Sequence, residues 1–397
     1  MLLSSAPNFK QRNSELDFVR GIAILMVMAH HFGLAPVGHP ILRALQTPGS
    51  LIGQTGVDVF FVLSGFLVGG LLLKEYKRTG TIQAKRFLLR RGLKIWPAYY
   101  LYILVQIIVR KHPLNSFLVP NLLHLQNYLG TSLLHTWTLS IEEHFYLLLT
   151  LAIAYMASRH WSADRMLKAF LYVIGAVILL RCVTTYEGWP GASSYTHDRL
   201  DSLLFGVVIA TLFHFFPEKF DRIASHKWIL AGVTILAVGF YAIFSSPNVR
   251  DSIGFTALYL GYGAFLLLVY RHSGRFKEWL PYKWVAAIGL YSYGIYLWHN
   301  SVRDPLTHLS RYLPDGVRWP TLTIAEYAAA IVIGVLSTLL IEWPFLRIRD
   351  RLFPDKTTPV PVNESSQAPQ PTPEAGFVAS TEEKPAGVGG QSYSPAD

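Results

Sequence analysis

Arg20 and His31 stand in one apolar stretch, Leu16-Asp-Phe-Val-Arg-Gly-Ile-Ala-Ile-Leu-Met-Val-Met-Ala-His-His-Phe. Eleven residues at about 100° each make roughly three full turns, so the two side chains share a helix face about 16 Å apart. Asp17, three residues before Arg20, lies on the same side. A cation at one depth of a membrane helix and an imidazole at another are costly in lipid. Such residues face a protein interior or a wet cavity and mark a site. The alternative has Arg20 snorkelling to the cytoplasmic headgroups and His31 resting at the outer interface. The alignment of all three groups on one stripe favours a site.

Further polar clusters sit at the ends of apolar runs. Asp58 opens the run Asp58-Val-Phe-Phe-Val-Leu-Ser64-Gly-Phe-Leu, and a carboxylate at that depth is a candidate to orient a histidine such as His31. Ser64-Gly65 reads most simply as a small-residue contact between helices, ahead of a nucleophilic serine. The stretch from His135 to Tyr146 packs Trp137, Glu142, Glu143 and His144 ahead of an apolar run, with Glu142 and Tyr146 one turn apart. His197-Asp198-Arg199-Leu-Asp201 is another such cluster, for which an Arg–Asp network is the structural alternative. His299 closes an aromatic stretch that begins at Tyr291. Arg90, Arg91 and Lys94 precede a run and act either as topology signals or as ligands for a cytoplasmic polyphosphate.

The elements that position these residues are membrane helices. Hydrophobic residues make up 51% of the chain and charged ones 15%, against about 25% charged in average proteins. Apolar runs of about 17–25 residues lie near 16–35, 57–73, 95–110, 137–157, 168–186, 199–216, 228–245, 252–270, 284–301 and 321–341. The expected fold is all-α: a polytopic bundle of about ten transmembrane helices. Most Lys and Arg fall in alternate connections, above all between Lys74 and Lys94, which places both termini in the cytoplasm. The formal charge of +10 therefore reads as topology and not as nucleic-acid binding. The single cysteine, Cys182, excludes an intrachain disulfide and a Cys-ligated metal site, and no metal-ligand spacing is present. No cleavable signal peptide is evident. The domain reading is a cytoplasmic segment at 1–15, a membrane domain at 16–345 and a tail at 354–397. The tail is rich in Pro, Ser, Thr, Glu and Gly and is expected to be disordered, with a cytoplasmic partner as its one available role.

The ordered motifs resemble the bacterial acyltransferase 3 family, integral membrane O-acyltransferases that modify surface and secreted glycans and other hydroxylated metabolites. The residues that carry the resemblance are Leu16-Asp-Phe-Val-Arg20-Gly with His31, Gly56-Val-Asp58 through Ser64-Gly-Phe, and Arg90-Arg91-Gly-Leu-Lys94-Ile-Trp-Pro97. Thr136-Trp-Thr-Leu-Ser-Ile-Glu142-Glu-His-Phe-Tyr, Arg199-Leu-Asp201-Ser-Leu, Tyr291 through His299, and Glu342-Trp-Pro344 complete the set. Two positions depart from it: Lys94 stands where the family often has Arg, and His144 where it commonly has Gln. Many relatives carry a hydrolase-like domain after the membrane part, and this chain resembles the stand-alone branch.

The resemblance implies transfer of an acyl group, most often acetyl, from cytoplasmic acyl-CoA to a hydroxyl of an extracytoplasmic glycan or related acceptor. Acyl-CoA is then a co-substrate and no cofactor stays bound; the setting is the bacterial inner membrane. Arg90, Arg91 and Lys94 would hold the CoA phosphates, and Arg20 the pantetheine arm. His31 would act as general base. Glu142 or Asp58 would orient it or bind sugar hydroxyls. Asp17, Ser64, Trp137, Arg199, Asp201 and His299 complete the acceptor-binding or orienting set. The rival reading is a proton-coupled transporter, for which internal repeats with broken helices are the expected sign; none is evident. Truncation after Lys356 is expected to leave turnover in isolated membranes unchanged at matched expression, because segments of this composition bury almost nothing.

Overall fold

The computed structural model describes residues 13–110, 114–189, 192–244 and 246–354. The expected tail, apart from Pro354, and most of the expected N-terminal segment lie outside the described residues. Among the described residues all regular structure is helical, and ten helices have 17 or more residues. They are α1 (Ser14–His31), α2 (Gly56–Thr79), α3 (Ala84–Arg110), α4 (Trp137–Ser158), α5 (Ala163–Tyr186), α6 (Thr196–Phe215), α7 (Lys227–Ile243), α8 (Phe255–His272), α9 (Ser292–Ser310) and α10 (Asp315–Ser337). Each overlaps one expected apolar run.

By length and composition, six helical stretches among the described residues can cross a membrane: Pro40–Thr79, Ala84–Val109, Leu134–Ser158, Ala163–Tyr186, Pro247–His272 and Asp315–Leu352. A seventh arises when α6 and Pro217–Ser225, bent by 116°, are taken together. Pro217 causes the bend, since it forces Phe216 out of the helical region to φ −131° and ψ 57°. α1 falls short because Glu15, Asp17 and Arg20 share its 18 residues, and α7 because it has only 17.

Local chemistry sets several helix ends. Asn13 caps α1 by accepting from the amides of Glu15 and Leu16 at 3.0 and 3.2 Å. Gly80 ends α2 in the left-handed region at φ 70°. Three sequence expectations change. The cations at 85–94 lie on α3, which begins at Ala84, and not in a loop before a span. The expected span at 284–301 is broken at Tyr291 into Leu280–Leu290 and α9. Gly289 presses on the Asp17 carbonyl of α1 while Gly294 presses on Gly334 of α10, and the break lets the chain follow both neighbours. A helix at Pro40–Ile52, not anticipated, precedes α2.

The burial pattern is that of a bundle in an apolar solvent. Large apolar side chains such as Tyr172, Leu179, Ile235, Leu236 and Leu340 point outward, while Asp58, Arg181, Arg199, Asp201 and His299 are fully buried. Arg181 of α5 is held at 2.6 Å by Asp201, at 2.9 and 3.0 Å by the carbonyls of Asp198 and Ser252, and at 2.6 Å by Thr256. Arg199 of α6 pairs with Asp58 of α2, and its guanidinium lies 3.6 Å from the Phe255 ring centre. This network ties α2, α5, α6 and α8 together. Removing one member of the Arg181–Asp201 pair leaves an uncompensated buried charge. Arg181→Met or Asp201→Asn is therefore expected to cost about 3–5 kcal/mol, read as a lower unfolding midpoint in detergent, with the double change to apolar residues recovering most of it.

Candidate active site

One cavity of about 380 Å³ opens among α1, α2, α3, α4, α9 and the segment after α10. Arg20, Arg91, Lys94 and Arg349 line it together with Glu142 and Glu342. The α3 spacing explains two of the cations: Arg91 and Lys94 are three residues apart and share a face. Neither makes an ion pair among the described residues. Arg90, one position round, faces away; it pairs with Asp350 at 3.2 Å and donates to the Phe353 carbonyl. It is thus a tie to the helix Trp343–Leu352, not a cavity cation as the sequence reading had it.

A wide turn at Thr338–Glu342 continues α10 into that helix. Thr338 donates to Glu342 at 2.7 Å, and both line the cavity. Single π-type turns of this kind recur at functional sites. Arg349, carried by the same helix, had no role in the sequence reading. The only available signal was the alternation of Arg347, Arg349 and Arg351 after Glu342-Trp-Pro344.

Ser64, Tyr146 and Glu142 form a hydrogen-bonded chain on the cavity wall. Tyr146 donates to Glu142 at 2.9 Å, so the Ser64 hydroxyl, 2.6 Å from the Tyr146 oxygen, donates to it. Arg91 lies 4.9 Å from the centre of the Tyr146 ring. Gly65, next to Ser64, lets α2 approach the Leu203 backbone of α6; the helix-contact reading of this dipeptide holds beside a polar role for its serine.

The cavity ends at Tyr296 and Thr138. Tyr296 donates to the His135 carbonyl at 2.6 Å and accepts from Thr138 at 2.6 Å. Beyond them His31, His135 and His299 stand together, with His299 4.8 Å from His31 and 5.3 Å from His135 between ring centres. The hydrogen bonds assign the tautomers. The Tyr296 carbonyl, 2.7 Å from His299 Nδ1, can only accept, so that nitrogen carries the proton and Nε2 offers a lone pair. His31 Nδ1, 3.1 Å from that lone pair and 3.0 Å from the Val27 carbonyl, is therefore the donor. The His31 Nε2 lone pair is left without a protein partner among the described residues.

Three sequence assignments are rearranged. Asp58 is committed to Arg199, and Glu142 to Tyr146, so neither contacts His31; His299 and the Val27 carbonyl orient it. Arg199 and Asp201 belong to the buried network of the fold and do not line the cavity. Trp137 packs edge-on against Phe61 at 6.0 Å, outside the cavity wall. Asp17 holds Arg20 at 2.5 Å, and Arg20 lines the cavity as its helix face implied.

Comparison with known proteins identifies the family. The acyltransferase domain model of the acyltransferase 3 family matches residues 13–343. The peptidoglycan O-acetyltransferase OatA of Listeria monocytogenes is 27% identical over 369 residues, covering 83% of this chain and 55% of the relative. The O-acetyltransferase OatA of Staphylococcus aureus is 26% identical over 364 residues, covering 83% and 56%. The chain thus spans about half the length of the curated relatives it matches. No solved structure matches it. A family match that runs from the residue capping α1 to the first residue past the wide turn encloses every group that lines the cavity except Leu346 and Arg349: the chain belongs to the acyltransferase 3 family.

Proposed function

We propose that the chain is an inner-membrane O-acyltransferase that moves an acyl group, most often acetyl, from cytoplasmic acyl-CoA to a hydroxyl on the outer side. The observation that carries this reading is the His31 ring, pinned through Nδ1 with Nε2 free, just past the end of a cation-lined cavity. In it all ten long helices span the membrane with both termini in the cytoplasm, as the Lys and Arg distribution favours. Residues 16–345 then form the catalytic domain.

The mechanism follows from the groups present. Arg91 and Lys94 bind CoA phosphates at the inner mouth, Arg by paired donors and Lys as a point charge, while Arg349, held by Asp350 through Nε and Nη2, stands on the cavity wall beside them. A cavity of about 380 Å³ suits the pantetheine arm and a small acyl group. Arg20, roughly three turns below His31, stabilises negative charge along that arm. His31 Nε2 takes the proton of the acceptor hydroxyl as its oxygen attacks the thioester carbonyl. The tetrahedral intermediate collapses with loss of the CoA thiolate, and the His31 proton passes to that sulfur. The products are an O-acyl ester and CoA. Proton-coupled transport accounts for buried ionisable groups, but it gives no use to the unpaired Arg91 and Lys94 in one cavity.

His31→Ala is expected to lower acetyl transfer at least 100-fold without loss of expression, within the usual worth of a general base. His30→Ala, about 100° round the helix, should keep most activity. His299→Ala should lower kcat more than it changes either KM, since it removes only the group that orients His31. Membrane assays with acetyl-CoA read all three, and full activity of His31→Ala would remove the base role. Neutralising Arg91 and Lys94 together should raise the KM for acetyl-CoA at least tenfold in inverted vesicles, because each charge-assisted contact is worth about 1.5–3 kcal/mol. Lys94→Arg should be tolerated. An unchanged donor requirement would reduce the pair to a topology signal.

A further inference from the structure

A second cavity, of about 440 Å³, lies on the other side of the histidines. Chain order along three elements establishes this. α1 gives Arg20 to the first cavity, then His31, and the residues just past its end, Phe32, Leu34 and Ala35, line the second. α9 gives Ser292, Tyr293 and Tyr296 to the first, then His299, and then Arg303, Thr307 and Arg311 to the second. α10 runs the opposite way, with Trp319 and Glu326 in the second cavity and Thr338 and Glu342, past its end, in the first.

The lining has a definite chemistry. Glu326 is 3% exposed, and its nearest charge is Arg303 Nε at 3.9 Å, beyond hydrogen-bond range. A buried carboxylate facing a cavity with no hydrogen bond among the described residues has acceptor capacity to spare. Arg303 donates to the His31 carbonyl, and its guanidinium rests on Gly33, whose φ of 76° and missing Cβ leave the room. Trp319 supplies an aromatic wall, with the Arg318 guanidinium 5.2 Å from its ring centre, so one face at most is open to a ligand. Gln46 and Thr323 are committed to each other at 3.1 Å and to the Ala35 amide and the Trp319 carbonyl, so they form fixed wall and not ligand contacts. With Arg303 and Arg311 set against Asp304 and Glu326, the lining favours neither an anion nor a cation. An acceptor carboxylate, guanidinium donors and an indole face together fit a neutral sugar ring.

We infer that this second cavity is the acceptor site. A pyranose stacks on Trp319 and its hydroxyls bond Glu326 and Arg303, which leaves one hydroxyl directed at His31 Nε2. The inference rests on the acyltransferase reading and adds the residues that choose the acceptor. Arg303 also links acceptor binding to the base, since one guanidinium touches both the acceptor cavity and the His31 backbone.

The test uses the full chain in its native host. Alkali-labile acetyl groups on envelope glycans are measured by mass spectrometry in cells carrying wild type, His31→Ala, Glu326→Gln, Trp319→Ala or Trp319→Phe. CoA binding to each purified protein is measured by calorimetry. Glu326→Gln and Trp319→Ala are expected to lower glycan acetylation at least tenfold with CoA affinity within twofold of wild type, and Trp319→Phe to restore most of it. A His31-dependent acetyl signal that ignores both substitutions would overturn the acceptor site and leave the proposed function standing. So would loss of CoA affinity in either variant, which would show an effect on the whole bundle. A signal that does not depend on His31 would instead remove the proposed function.

Discussion

An ionised side chain cannot remain unpaired in the apolar interior of this bundle, and the arrangement of the helices follows from how each charge is answered. Burying one ion costs several kcal/mol even after relaxation, and only a partner at hydrogen-bond distance offsets it. Arg181 answers this with Asp201, two carbonyls and a hydroxyl, and Arg199 with Asp58 and an aromatic face. Those contacts fix α2, α5, α6 and α8 against one another. The cavity lies to one side of them, where Arg91 and Lys94 have no carboxylate within ion-pair distance among the described residues. Cations left in that state are stabilised by water or by an anionic ligand.

The same rule shapes the histidine layer. His299 gives its Nδ1 proton to a carbonyl and its Nε2 lone pair to His31, so both nitrogens of the buried ring are used. That leaves one directed lone pair on His31. A base held by two contacts has little freedom to turn, which is the condition for proton transfer along a set direction. Along α1 and α9 the two cavities fall on either side of His31 and His299, with Tyr296 and Thr138 on the wall of the first.

Close helix contacts make this geometry available. Gly289 against the Asp17 carbonyl and Gly294 against Gly334 bring the broken segment near both α1 and α10. A side chain at either position would push the backbones apart and carry His299 away from His31. The wide turn at Thr338–Glu342 continues α10 into the helix Trp343–Leu352, which carries Arg349 to the cavity wall.

From the sequence alone came the all-helical fold and the approximate place of each long helix, the shared face of Arg20 and His31, and the paired cations Arg91 and Lys94. Each depends on a short-range regularity: the length of an apolar run, or 3.6 residues per turn. The break at Tyr291 escaped that reading, because apolar composition continues through it and only the glycine contacts on two different neighbours require it. Partner choice escaped it as well. Depth puts Asp58 near His31 and the family resemblance adds Glu142, but periodicity fixes the depth and face of a side chain, not which neighbouring helix that face meets. Tertiary packing gave Asp58 to Arg199, 141 residues on, and His31 to His299, 268 residues on. Arg349 and the second cavity arise only once α9, α10 and the turn after α10 are assembled, since no local stretch contains both walls of a cavity.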